Sequence, residues 1–274
     1  MQRRSFMTLT GAFTGTCALC GCSGAVHRLP QLNDSNLSMA QTEVQGAGGP
    51  PQRRTVSDEE VDETLKSALR RIRPPANQVC REMNVGVCEW SFRLRNDRSL
   101  NAGAGPNGLI VVNRGVVEYT ANEEEVCLVI AHEIGHQSAN HVATGQRNQA
   151  TGALIGAILL GAVGAAASYY GKYNSPDLTR TAMQSGADVG GAIGRISFSK
   201  EQEREADYLA AVVLYRSGVD LDKARGILVT MARASGRKET GMLDTHPAGP
   251  ERIAGWDRAV AEIRASDGRL PQRA

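Results

Sequence analysis

Aromatic side chains are scarce: four Phe, six Tyr and two Trp among 274 residues, so Leu, Ile, Val and Ala must build the core. A surplus of charge of either sign is also missing, with 31 Lys and Arg against 29 Asp and Glu and a formal net charge of +2. That excludes the broad basic field of a nucleic-acid binder, and no nucleic-acid partner is expected. No internal repeat is evident. What is present, 41% hydrophobic and 22% charged residues, excludes a disordered chain and suits one substantial globular domain with attached segments.

The first residues, MQRRSFMTLTGAFTGTCALCGCSG, have the layout of an export signal, and residues 1–22 are assigned to it. Arg3 and Arg4 followed by Ser5, Phe6 and Met7 look like a twin-arginine signal, and Leu19-Cys20-Gly21-Cys22 resembles a lipobox with Cys22 as the lipid acceptor. Residues 23–56 are polar, contain Gly and Pro and show no sustained period, so a flexible tether is expected. In an oxidising compartment Cys80 and Cys88 could pair, whereas Cys127 lies in an apolar helical run and suits a buried thiol.

The folded domain is expected over 57–265. Ser57 and Glu60 form a capping box, and Val61, Leu65, Ala68, Leu69 and Ile72 share one face of a helix that should stop at Pro74-Pro75. Alternation from Val85 to Leu94, with Trp90, Phe92 and Leu94 on one side, predicts a strand. The Gly-rich stretch from Asn101 to Gly108 reads as a turn into a second strand, Leu109 to Val112, which Gly115 should break. Asn122 and Glu125 then cap a helix with Glu123, Glu124 and Glu125 at its positive end. Residues 151–171 are uncharged but rich in Gly and Ala, and with the Gly-x-x-x-Gly spacings of Gly186 to Gly194 they suggest two packed helices, either near a membrane or buried in the domain. Further helices are expected from Lys200 to Gly218, from Asp220 to Ala234 and around Glu251 to Arg264.

HEIGH, His132 to His136, falls inside the helix after Asn122. Residues four apart lie one above the other, so both imidazoles can reach one metal ion, with Glu133 beside it to take a proton from water. A catalytic zinc needs three protein ligands. The extended motif that adds a third histidine requires Gly and His where this chain has Ala139 and Val142. His141, about 140° further round a continuous helix, suits packing or support better than ligation. A second helix must then supply the third ligand. Its acidic run EQEREAD offers two i,i+4 pairs, Glu203 with Asp207 and Glu201 with Glu205, and spacing alone does not choose between them.

These motifs together resemble metallopeptidase family forty-eight, which includes the HtpX-like membrane proteases, the CAAX prenyl endopeptidase and periplasmic lipoprotein proteases. The resemblance rests on His132-Glu133-Ile134-Gly135-His136, on Glu203-Arg204-Glu205-Ala206-Asp207 as E-x-x-A-D, on Asn101-Ala102 with Pro106-x-Gly108, and on Thr245-His246-Pro247. It implies a mainly α fold with a small β-sheet, an α+β zincin-like gluzincin core. One zinc ion would be held by His132, His136 and Glu203, with Glu133 as catalytic base and Asp207 orienting a ligand histidine. It further implies Leu109 to Val112 as the edge on which a substrate peptide is laid, and His246 as a residue able to close the site. Gly103 stands where the family has an aromatic residue. The implied activity is endopeptidase cleavage of unfolded or misassembled envelope proteins on the periplasmic side. The lipobox adds an expected lipid anchor to a membrane, with the Gly/Ala-rich helices either a further membrane contact or a buried hairpin. The competing expectation is a zinc-bearing chaperone or binding module of the outer-membrane assembly machinery with little proteolysis.

Overall fold

A computed structural model describes residues 24–148, 198–234, 246 and 249–274. The export signal with Cys22 and the segments 151–171 and 186–194 lie outside the described residues. Among the described residues no helix is long and apolar enough to cross a membrane.

The architecture is mainly helical with a small three-stranded sheet packed against one helix, an α+β fold as expected. In chain order the elements are α1 (Asp34–Gly46), α2 (Asp58–Met83), β1 (Ser91–Arg95), β2 (Ala102–Ala104), β3 (Leu109–Asn113), α3 (Arg114–Tyr119) and α4 (Glu123–Ser138). After these come α5 (Lys200–Arg216), α6 (Leu221–Ala224), α7 (Gly226–Ala234) and α8 (Pro250–Ala265). Every residue of α4 from Glu125 to Ser138 is buried, as in a helix surrounded by others. It packs on α5, α2 and α6, while α5 also packs on α8.

Four elements depart from the sequence expectation. Helix α2 does not stop at Pro74-Pro75 but runs to Met83. The prolines leave carbonyls unpaired on the solvent side, where water can satisfy them, while Ile72, Ala76, Val79, Cys80 and Met83 continue the buried face. The strand expected from Val85 begins only at Ser91 and exposes Leu94. The preceding loop is held by the Cys80–Cys88 disulfide and by Gly86, where an added Cβ would sit 2.0 Å from the Gln137 carbonyl oxygen. The second strand already stops at Asn113, and Gly115 lies in the first turn of α3, its bare Cα against the Ser99 carbonyl. The stretch 34–46, expected to be part of a tether, is a helix with a two-way Asn33–Asn36 capping box, packed on α8.

The sheet corrects the expected substrate edge. Strand order is β1-β3-β2, with β1 parallel and β2 antiparallel to β3. Leu109 to Val112 is therefore the central strand, its backbone groups taken on both sides. The open edges belong to β1 and β2, and β2 packs against α4. Gln137, one residue past HEIGH, ties the two together by donating to the Gly105 carbonyl at 2.7 Å.

Candidate metal centre

Two capped helices deliver the site. Asn122 Oδ1 accepts the Glu125 N–H at the start of α4, and Ser199 forms a two-way box with Gln202 at the start of α5. The helices cross where Gly135 of HEIGH meets Ala206 of E-x-x-A-D. A Cβ on Gly135 would lie 2.9 Å from the Ala206 carbonyl oxygen, so only glycine permits this approach. The crossing places side chains one turn either side of it face to face.

There the donor atoms of His132, His136, Glu203 and His246 all lie within 4.8 Å of one another, and all four residues are buried. His132 Nε2 stands 3.1 Å from His136 Nε2 and 3.3 Å from His246 Nδ1. Glu203 Oε1 is 2.8 Å from His246 Nδ1 and 3.4 Å from His136 Nε2, and Glu203 Oε2 is 3.5 Å from His132 Nε2. Three imidazoles and a carboxylate converging in a dry site are a donor set that suits zinc. Glu203 Oε2 and both Glu133 oxygens are buried without a hydrogen bond, although Glu133 Oε1 stands 3.5 Å from His246 Nε2, so the cluster keeps acceptor capacity for a cation. The residues fit a metal ion.

The charges agree. Burial alone would raise the Glu203 carboxyl, but His246 and Arg252 hold it well below the usual carboxylate range. Burial, with His132 and His246 as neighbours, drives His136 well below the ordinary imidazole value. For His132 burial and Arg252 act in the same downward sense, yet Asp207 and Glu203 outweigh them and carry it up to about 9.

Behind the cluster, Asp207 Oδ1 lies 2.8 Å from His132 Nδ1, and Arg252 grips Asp207 through Nε at 2.8 Å and Nη2 at 2.7 Å. Arg252 Nη1 also stands 3.1 Å from Glu203 Oε2. This arginine was not anticipated, although a signal exists: it shares the buried face of α8 with Trp256, Ala259 and Ile263, and a cation on such a stripe implies a buried partner. The second acidic pair separates, with Glu201 exposed and Glu205 fully buried against His27 and His141. His141 comes closer to the cluster than a continuous helix would allow, because Asn140, at φ 61°, turns the chain after α4.

A profile of peptidase family M48 matches residues 66–259, which include every side chain of this cluster. The chain belongs to peptidase family M48. Its M48 relatives include the beta-barrel assembly-enhancing protease of Yersinia pestis, 29% identical over 261 residues, which is 91% of this chain and 51% of that protein. The beta-barrel assembly-enhancing protease of Escherichia coli (strain K12) is 34% identical over 182 residues, 64% of this chain and 35% of that protein. The mitochondrial metalloendopeptidase OMA1 of Arabidopsis thaliana is 29% identical over 163 residues, 60% of this chain and 30% of that protein. The chain thus spans about half or less of the length of these curated relatives. The family is one of peptidases, and the Arabidopsis thaliana relative is named a metalloendopeptidase.

Proposed function

We propose that this M48 chain is a zinc-dependent endopeptidase acting on unfolded or misassembled proteins of the bacterial envelope. One observation carries the reading: both carboxylate oxygens of Glu133 are buried without a hydrogen bond, and Oε1 stands 3.5 Å from Nε2 of His246, whose ring joins His132, His136 and Glu203 in the donor cluster. Those three residues would hold one zinc ion, which supplies Lewis acidity toward a scissile carbonyl and toward water. Glu133 takes the proton of the attacking water and returns it to the leaving amine. Asp207 keeps the His132 ring turned so that Nε2 faces the cluster. The open edge of β2, beside α4, is where a substrate peptide adds as a further strand, replacing the Leu109 to Val112 edge expected from the sequence.

The beta-barrel assembly-enhancing relatives support an envelope setting. With an export signal over residues 1–22 and lipid on Cys22, the catalytic domain of residues 57–265 would face the periplasm, anchored to a membrane. The Gly/Ala-rich segments would be a second point of membrane contact.

Glu133→Gln tests the chemistry. It should retain zinc while casein digestion falls by about 10²–10⁴-fold, the usual worth of a general base. Undiminished cleavage by the zinc-loaded variant overturns the mechanism.

His246 favours a second reading. Its Nδ1 sits among the other three donors, so as a fourth ligand it would occupy the place needed by water and leave a zinc-bearing chaperone or binding module. His246→Ala should raise casein digestion if His246 closes a working protease. Stoichiometric zinc without cleavage in both wild type and His246→Ala selects the binding module.

A further inference from the structure

The two HEIGH imidazoles present Nε2 to the cluster, and each is contacted on the opposite nitrogen, Nδ1, by a different device. His132 uses Asp207. At 3.1 Å from His136 Nδ1 lies His141 Nδ1 instead, and His141 Nε2 reaches Glu205 Oε2 at 2.9 Å. Glu205, fully buried on α5, also meets the ring Nδ1 of His27 at 2.5 Å. It accepts the backbone N–H groups of Val26 at 2.8 Å and His27 at 3.0 Å. The segment carrying His27 is fastened to the chain's other end: Arg28 N–H donates to the Gln272 carbonyl and Ala274 N–H to that of Val26.

Proton bookkeeping along this line gives one answer. A metal on His136 Nε2 requires the lone pair there, so the ring proton resides on Nδ1 and is donated to His141 Nδ1. His141 then carries its proton on Nε2 and donates to Glu205. Glu205 as a carboxylate accepts from His141, from the His27 ring and from two backbone N–H groups, and no proton is left without an acceptor.

We infer that His141 and His27 are positioning residues for the metal centre, fixing the tautomer and ring orientation of His136 through Glu205, and that the segment around Val26 and His27 is part of the site's support. The inference rests on the reading of His136 as a metal ligand. A carboxylate acting on a ligand through an intervening histidine has the same physical effect as one in direct contact, provided each link is a sound hydrogen bond.

The test is made on the full chain, with Zn²⁺ alone as ligand, by competition with a chromophoric chelator and by the visible spectrum of the Co²⁺-substituted protein. His141→Leu should weaken zinc by about 10–100-fold and alter the cobalt spectrum. His141→Gln, whose amide can accept from His136 and donate to Glu205, should recover part of both. His27→Ala keeps the two backbone bonds and should lose about 10-fold, the low end of the range. Zinc affinity and cobalt spectrum unchanged in folded His141→Leu, even with a lowered melting temperature, mean packing alone and overturn the inference. If His141→Leu does not fold, His27→Ala decides, and unchanged affinity there overturns it equally. A wild-type chain that binds no zinc overturns the metal-centre reading itself, whereas zinc held equally well by wild type and variants overturns only this inference.

Discussion

The two HEIGH histidines differ in what stands behind them. His132 leans on Asp207 directly, and Asp207 is held by the full positive charge of Arg252 on α8. His136 leans on a relay through the His141 ring to the Glu205 carboxylate, which ends in the segment around Val26 and His27. Both carboxylates are nearly inaccessible and both titrate below their ordinary values, but the causes differ: after burial the leading influence on Asp207 is the Arg252 cation, and on Glu205 it is hydrogen bonds from histidine. One support is a charge pair that is costly to break, the other a chain of hydrogen bonds that is costly to leave unsatisfied. The C-terminal helix serves the first and the N-terminal segment the second, so each end of the described chain steadies one ligand.

The largest effect is expected at Asp207. Asp207→Asn removes the charge that compensates Arg252 and leaves only Glu203, at 3.1 Å, as its carboxylate partner. Breaking one side of a buried pair costs about 3–5 kcal/mol, and losing the orienting carboxylate weakens metal binding by about 10–100-fold. Unfolding of the chelator-treated variant in denaturant measures the first quantity and zinc competition the second. A stability loss no greater than that of Glu205→Gln would remove the distinction between arginine-held and histidine-held support.

Glu205→Gln comes next. The amide presents an NH₂ where the carboxylate accepts from Val26, His27 and His141, leaving buried donors unmet, at a cost of roughly 2–3 kcal/mol. Zinc affinity should fall along with stability, because the relay to His136 loses its end. A variant that loses stability but keeps wild-type zinc affinity would place Glu205 in packing alone.

The first support was far more legible in the sequence than the second. His132 and His136 share a helix face by spacing, and Glu203 with Asp207 matched a motif, so local periodicity and family resemblance brought four of these residues forward. Glu205 stood in the same acidic run but offered only an alternative i,i+4 pairing. What selects it is burial against His27, 178 positions away, and local pattern carries no such information. Chain reversal at Asn140 was equally invisible, since Asn can enter the left-handed region but seldom must. The same reason explains α2: prolines normally end a helix, and only tertiary packing of Ala76, Val79 and Met83 shows why this one continues. Strand β2 hid in a Gly-rich stretch because its pairing to β3 depends on backbone rather than side-chain pattern. HEIGH itself reads differently once the crossing is known, its glycine being the point that lets α5 approach.

Glu125 offers the smallest and most selective test, because it is a further buried carboxylate that, among the described residues, forms no ion pair, and the influence of Arg54 on it is outweighed by burial. It accepts the Ala121 N–H at 2.9 Å and fits against Gly226, where a Cβ would stand 2.3 Å from Oε1. Burial pushes it up to about 7, opposite in direction to Asp207 and Glu205. The sign follows from proton counting: between the unfolded carboxylate value of about 4.3 and about 7 the folded chain binds the extra proton. Stability from this group is therefore complete below the unfolded value and lost as pH rises through 7, by about 2 kcal/mol after allowance for residual solvent. Urea unfolding at pH 5 and pH 8 should show wild type losing that amount relative to Glu125→Gln, which keeps an acceptor for Ala121 and cannot ionise. Parallel losses in the two proteins would mean that Glu125 is not the group responsible. The opposite outcome shows that partners, rather than depth of burial, decide which way a carboxylate beside these helices titrates.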